Sequence, residues 1–493
     1  MSPNDVRSAV WMCVTRKPLY YRSSDTATAM GGPAMSLNTQ LKSTHMPPVI
    51  TNIYKKPLLL HQGHMQWLYD HEGKRYLDLA AGIVTVSVGH CHPKVVSAIQ
   101  EQTKTLWHPT NIYRHPKIYE YIEKLASKLP GDLKVVYLLN SGSEANDLAA
   151  VLAKAYTRNN DIISLQSSYH GCSSGLMGLT ATQSYRLPIP VPAGFHHTVL
   201  PDPYKGAWGG CRDSLSQPPN SCSCTGECVS TDKYIQLLEG VLNNSVPAGR
   251  VAALFAESIQ GAGGVVQFPK GYIKRAQDLI KKNGGLYIAD EVQTGFGRTG
   301  DHFWGFESHG IIPDIVTMAK GIGNGFPLAA VVTTKAIAAA HKASYFNTFG
   351  GNPLASVVGK AVLEAIEEDK LQQNSKIVGS YFIEQLMQLQ KVHPFIGDVR
   401  GQGLMIGVEL VVPGTKEALD KDKMSNIEET LKDLGVLVLR GGRGSNVRYS
   451  YEEKVLLMKP SPDIINSGSR AWFNTTNYVK KYRKQGCREN VFL

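Results

Sequence analysis

The chain has 493 residues, with 52 Lys and Arg against 41 Asp and Glu and a formal net charge of +11. The excess sits at the ends: residues 1–46 hold five basic and two acidic residues, and eleven basic against four acidic residues follow from Arg440, which leaves +1 for everything between. A near-neutral body argues against nucleic-acid binding. The apolar runs all fall short of the ~20 residues a membrane helix needs, and eight cysteines in so long a chain make no disulfide framework.

The first 46 residues carry Arg7, Arg16, Lys17 and Arg22, many Ser and Thr, and only Asp5 and Asp25 as acids. That is the composition of a mitochondrial presequence, and it predicts a protein of the matrix; a disordered cytosolic tail is the alternative. Residues 47–108 read as the first part of a small α+β domain, with a hairpin formed by HMQWLYD, a turn at HEGK and RYLDLA. Residues 109–354 read as the large domain. Its short apolar runs at 135–139, 161–165, 251–256, 285–289, 314–319 and 329–333 show no polar alternation, as strands buried on both faces do. Helical stretches at 144–158 and 272–284 lie between them. The expected fold is therefore α/β, a mixed but mostly parallel sheet covered by helices. Residues 205–231, rich in Gly, Pro, Ser and Cys, read as a loop insertion. A helix at 356–369 and a strand at 403–410 return the chain to the small domain over 355–440. The tail at 441–493 is basic and aperiodic, which puts the completeness of the small domain in doubt.

In open parallel sheets, ligands bind at the carboxyl ends of the strands, and here those ends carry chemistry. After VVYLL come Ser141, Gly142 and Ser143, opening a helix whose free amides and dipole suit a phosphate; the same turn is also an ordinary helix cap. After DIISL comes Tyr169, an aromatic that suits stacking on a flat heterocycle or packing in a core. Glu257 ends one run and Asp290 another, followed by Val292 and Gln293. A carboxylate at the end of an apolar strand needs a partner, and a protonated pyridine nitrogen is one. No His stands near in ligand spacing, so no metal is expected there. Lys320 follows DIVTMA and precedes GIGNG; the glycines follow the Lys rather than precede it, unlike a Walker loop. A Lys emerging desolvated from an apolar strand suits Schiff-base chemistry.

Taken in order, NSGSEAND, YHG, ESIQG, DEVQTGFGRTG, MAKG, FNTFGGNP and VRGQGLMIGVEL resemble the class III aminotransferases over roughly residues 50–440. The resemblance implies the type I fold of pyridoxal-phosphate enzymes, pyridoxal 5′-phosphate as cofactor, and a homodimer or homotetramer. It implies Lys320 as the Schiff-base lysine and proton shuttle, and Asp290 as partner of the ring nitrogen. Tyr169 and Val292 would clamp the ring, with Gln293 near its phenolic oxygen. Ser141, Gly142 and Ser143 would cup the phosphate, and Thr348 would reach it from a neighbouring subunit. Arg400 would hold the substrate carboxylate, and Glu257 would stand near the pocket. Stretches 56–70, 82–95, 211–228 and 302–331 are similar to the branch that moves amino groups from alanine or β-aminoisobutyrate-type donors to glyoxylate or pyruvate. A phospholyase of the same family, or a chain left inactive by its altered C-terminus, are the alternatives. His90 and His92 are read as structural. Cys211, Cys222, Cys224 and Cys228 are read as loose thiols on the insertion, with a Cys₄ zinc site as the alternative.

Overall fold

In a computed structural model of the chain, residues 53–110, 112–442 and 447–450 are described, the last four by their backbone alone. The expected presequence and the chain beyond residue 450 lie outside the described residues. The chain divides into two units, residues 1–59 and 60–493. Of the first, residues 53–59 are described and form neither helix nor strand.

The second unit opens with β1 (Leu60–His64), β2 (Trp67–Asp70) and β3 (Arg75–Asp78), an antiparallel meander whose later half is the expected hairpin. Asp70 closes that hairpin: its Oδ1 accepts from the amides of Glu72 at 3.0 Å and Lys74 at 2.9 Å, a side chain standing in for a backbone turn. The sequence does not announce β1, because LHQGH is mostly exposed and carries no apolar run.

The central sheet holds β4 (Val135–Leu139), β5 (Asp161–Leu165), β6 (Phe195–Thr198), β7 (Val251–Glu257), β8 (Leu286–Asp290), β9 (Ile315–Met318) and β10 (Ala329–Thr333), in the order β4-β10-β9-β8-β7-β5-β6. β10 runs antiparallel to both neighbours, and every other pairing is parallel. Every residue of β7 to β10 is buried, which is why their sequences lack alternation. β6 escapes sequence reading for the opposite reason. Its FHHT is an edge strand held partly by polar contacts, His197 to Ser164 at 2.9 Å and His196 to Asp161 at 2.8 Å.

Among the described residues the helices of ten residues or more are α1 (Pro93–Gln102), α2 (Pro116–Ser127), α3 (Gly142–Thr157), α4 (Val229–Asn244), α5 (Tyr272–Lys282), α6 (Pro353–Glu368), α7 (Leu371–Val392) and α8 (Lys421–Asp433). On one face of the sheet, Leu148 and Leu152 of α3 pack with Ala253 and Phe255. On the other, Leu238 of α4 and Ile273, Ala276 and Ile280 of α5 pack with Leu254 and Ala256. Each of the Leu, Ile and Phe side chains contributes about 1.5–3 kcal/mol when fully buried, an alanine less. The insertion is irregular through Cys228, and α4 begins at Val229, inside the loop expected over 205–231.

The remaining strands are β11 (Ile396–Gln402), β12 (Met405–Leu410), β13 (Val436–Leu437), β14 (Leu439–Gly441) and β15 (Val447–Ser450). β13 pairs in parallel with β3, so one four-stranded sheet joins residues 60–78 to residues 436–437. A second sheet, β11-β12-β15-β14, is antiparallel, and β15 extends regular pairing past Arg440. Among the described residues no helix is long and apolar enough to cross a membrane.

Candidate active site

The strands of the central sheet deliver their useful residues to one edge. Glu257 and Asp290 are the last residues of β7 and β8 and are register partners. Lys320 stands just past β9, Ser141 just past β4 and Tyr169 just past β5. These five, with Gly142, Ser143, Val292 and Gln293, line one cavity of about 140 Å³. Asn146, His170 and Gly171 line it too, and sequence reading assigned none of them a role.

Asp290 is buried at 3% exposure, and both of its oxygens are engaged. Oδ2 accepts from Asn146 Nδ2 at 2.8 Å and lies 2.8 Å from His170 Nδ1. Oδ1 accepts from the amide of Val292 at 3.1 Å. Three partners from three elements thus fix the carboxylate's direction and offset part of its desolvation. Beside it, the Glu257 carboxylate accepts from the amides of Gly261 at 2.8 Å and Tyr169 at 3.4 Å. Burial pushes its pKa up to about 7; the Asp290 charge adds to this while His170 opposes it. At a pKa of about 7, Glu257 is protonated in about half of the molecules at neutral pH.

Lys320 begins a short 3₁₀ turn, Lys320–Gly323, with a left-handed φ of 51°. For a residue with a Cβ this conformation is strained, and such strain persists where the surroundings impose it. Desolvation lowers its pKa to about 8, against the pull of Asp290 and Glu257; Arg298 adds to the lowering. An amine so placed is far more often neutral at physiological pH than a surface lysine.

The mouth of the cavity is the start of α3. Ser141 caps it, accepting from the amide of Glu144 at 3.2 Å, while the Glu144 carboxylate accepts from the amides of Ser141 and Asn140. Those bonds occupy the capping residues and leave the first-turn amides of Gly142 and Ser143, with the helix dipole behind them, for an anion. Close packing explains two glycines. A Cβ on Gly142 would meet Val292 at 3.3 Å, and one on Gly171, whose φ is 117°, would meet Ser143 Oγ at 2.5 Å. The Tyr169 ring lies 4.8 Å from that of Tyr185, tilted by 58°.

Two expected residues lie apart. Thr348 is exposed and does not line the cavity. Arg400, on β11, is 3% exposed and also does not line it. Its Nη1 donates to Glu409 at 2.6 Å and Asp398 at 3.0 Å, and its Nε to the carbonyl of Gly264 at 2.8 Å. Half of the guanidinium fork expected to grip a substrate is thus bound to protein, and Nη2 alone has no hydrogen bond to the described residues. The carbonyl it holds belongs to the turn that Gly261 opens below Glu257, so Arg400 is tied to the cavity wall through that turn.

Asn146 and His170 stand inside motifs quoted from the sequence, NSGSEAND and YHG. Asn146 lies one helical turn after Gly142, on the face that α3 turns to the sheet; a buried Asn needs a partner, and that was the available signal.

Residues 51–451 match the family described as aminotransferase class-III. The chain is 50% identical to human mitochondrial alanine–glyoxylate aminotransferase 2 over 431 residues, covering 86% of this chain and 84% of that protein. Among solved structures it is similar to a phospholyase from Arthrobacter in complex with phosphoethanolamine, with a TM-score of 0.78, 30% identity, and 88% of this chain and 99% of that one covered. It is also similar to an amine transaminase from an uncultivated Pseudomonas species in its PLP-bound form, with a TM-score of 0.76, 28% identity, and 88% and 99% covered.

The depressed lysine gives a pH test. A lysine adds to an aldehyde only as the neutral amine, which at a pKa of about 8 is about a tenth of the population at pH 7. The rate at which cofactor-free protein captures pyridoxal 5′-phosphate, trapped with borohydride, is expected to rise with pH and level off above about 8. A rate still climbing toward 10.5, the ordinary lysine value, would show that the cavity does not desolvate Lys320.

Proposed function

The chain belongs to the class-III aminotransferases, and we propose that it moves an amino group from alanine or a β-aminoisobutyrate-type donor to glyoxylate or pyruvate with pyridoxal 5′-phosphate as cofactor. As a member of that family it is an aminotransferase, acting on amino and keto acids. The observation that carries the reading is a partly neutral lysine and a firmly held carboxylate, Lys320 and Asp290, lining one cavity at the ends of adjacent strands.

The cavity suits this cofactor. It offers an amine for the aldehyde, a fixed carboxylate for a ring N–H, first-turn amides for a phosphate, and at Gly171 a backbone where an added Cβ would meet Ser143 Oγ at 2.5 Å. When bound, pyridoxal 5′-phosphate supplies an aldehyde that joins amines covalently and a protonated ring that withdraws electrons from the bond being broken. Asp290 would hold the proton on the ring nitrogen. Lys320 Nζ takes the proton from the substrate Cα and returns it on the other side of the transfer, as a base poised near neutral pH does best. Tyr169 and Val292 would clamp the cofactor's ring, Gln293 would lie near its phenolic oxygen, and Ser141, Gly142 and Ser143 would hold the phosphate. Glu257, its pKa pushed up to about 7 by burial, would stand near the substrate. Arg400 orients the substrate carboxylate through Nη2, with Asp398 and Glu409 fixing the guanidinium plane.

The phospholyase likeness supports a second reading, elimination of phosphate from an amino-alcohol phosphate. Keto-acid-dependent amine transfer from alanine is expected to exceed phosphate release from phosphoethanolamine by a wide margin, and Arg400→Lys to raise KM for both amino donor and keto acid about tenfold with cofactor absorbance retained. Dominant phosphate release would make the chain a lyase. Absence of cofactor absorbance and of both activities would favour an inactive product.

The site is proposed to be completed in a homodimer, alone or within a homotetramer, by Thr348 of the neighbouring subunit. Support comes from its exposure and its absence from the cavity of its own chain. Mixing Lys320→Ala with Thr348→Ala subunits is expected to recover activity above either parent, because some sites then hold both residues. Mixed dimers without recovery would place the whole phosphate site in one chain.

Residence in the mitochondrial matrix is proposed from the basic, acid-poor composition of residues 1–46 and the mitochondrial relative. Amino-terminal sequencing of the protein from its own cells is expected to start near residues 30–46; an intact Met1 in the cytosol would contradict import.

A further inference from the structure

Away from the active site, the insertion brings together residues far apart in its own sequence. Cys211, Cys222, Cys224 and Cys228 span a stretch with no regular structure, yet their four sulfurs all lie within 4.8 Å of one another. Loose thiols on a loop have no reason to converge. Cys211 and Cys228 are buried and Cys222 and Cys224 half-buried, so the group is a pocket floor with a partly open lip. A tetrahedral ion with metal–sulfur bonds of about 2.3 Å sets its ligands about 3.8 Å apart, within that spread. The Cys222–Cys228 pair, at 3.3 Å, is too long for a disulfide bond of about 2.05 Å. All four cysteines are free.

The surroundings of Cys228 suit a thiolate. Cys228 is the residue before α4, a 16-residue helix whose amino end favours negative charge. Its sulfur receives the amide N–H of Cys211 at 3.2 Å and lies 3.2 Å from Ser230 Oγ. The Lys270 ammonium reaches the Cys224 carbonyl at 3.5 Å, adding positive charge beside the group. Backbone bonds link the segment to the start of α5, from Lys270 to Cys211 and from Cys228 to Lys270. Four sulfur donors with no hard oxygen or imidazole among them select zinc over calcium, magnesium or manganese. With all four positions filled by protein, the site has no open place for a substrate and is structural rather than catalytic.

We propose that Cys211, Cys222, Cys224 and Cys228 bind one structural Zn²⁺ that folds the insertion. Each thiol that enters as S–H releases a proton as its sulfur bonds the metal, and no electron is transferred. The consequence reaches the small-domain strands. Arg212, next to Cys211, is 1% exposed and grips Asp398 with Nη1 at 2.9 Å and Nη2 at 2.8 Å, and Asp398 in turn pairs with Arg400. Ser216 also donates to the Val399 carbonyl. The metal would thus fix the loop that carries Arg212 and, through it, the carboxylate that Arg400 leans on.

The test uses the full-length holoenzyme purified with reductant and without added metal. Elemental analysis is expected to give about one zinc per chain, and thiol titration to leave four of the eight cysteines unreactive until a mercurial or chelator releases the metal. The Cys222→Ser/Cys224→Ser variant, altered only at the half-buried positions, is expected to lose the zinc and unfold at lower temperature while keeping its cofactor absorbance. If purification strips the site, Co²⁺ added to the reduced protein is expected to give the intense visible bands and near-ultraviolet thiolate charge transfer of a tetrahedral sulfur site. The site is disproved if neither Zn²⁺ nor Co²⁺ is retained after reconstitution, if iron is found in its place, if zinc persists undiminished in the double variant, or if the four thiols prove oxidised to disulfides. Metal content does not depend on the substrate, so failure here leaves the aminotransferase reading standing, and failure of that reading leaves the zinc.

Discussion

The buried carboxylate of Asp290 is the constraint around which the rest of the molecule is arranged. An ionised carboxyl at the carboxyl edge of an apolar sheet costs several kcal/mol unless it is solvated by protein. Here that solvation comes from Asn146 on α3, His170 on the loop after β5 and the amide of Val292 after β8. Each donor is delivered by a different element, so the site exists only when the sheet order is right. The neighbouring Glu257, in register with it on the adjacent buried strand, has its pKa pushed up to about 7, chiefly by burial and further by the Asp290 charge.

Lys320 answers the same field from the other side. Desolvation favours its neutral form, while Asp290 and Glu257 favour the charged one, and the balance leaves the amine poised near neutral pH. The strained backbone at Lys320 and the close approach of Gly142 to Val292 belong to this economy of space. The cavity of about 140 Å³ places an amine, two carboxyls and a helix amino end on its walls.

Much of this was legible in the sequence because it is local. The six apolar strands lack alternation, and the chemically useful residues stand directly after them, so the edge of the sheet can be read without knowing the strand order. What was not legible is long-range. Nothing in YHG says that His170 turns to Asp290, 120 residues away, and nothing in VRGQG says that Arg400 is already engaged by Glu409 and a Gly264 carbonyl. β6 was missed because an edge strand of Phe, His and Thr has no apolar run. The cysteines of the insertion read as loose because C-x-C spacing is unusual, whereas the fold of the loop, not its spacing, brings the sulfurs together. Arg212 could not be found from sequence at all, since a lone Arg in a Gly- and Ser-rich loop looks solvated and here is 1% exposed.

If the fixed carboxylate is what makes the cavity catalytic, charge and shape at position 290 separate cleanly. Asp290→Asn keeps the size and can still meet Asn146 and His170 after an amide flip, but it removes the negative charge. Single-turnover reaction of the holo variant with alanine, followed by the cofactor's absorbance, is the most direct measurement. The cofactor is expected to stay bound through Lys320 and the α3 amides while the rate of amine transfer falls by several orders of magnitude. Transfer at close to the unsubstituted rate, with cofactor bound, would contradict it.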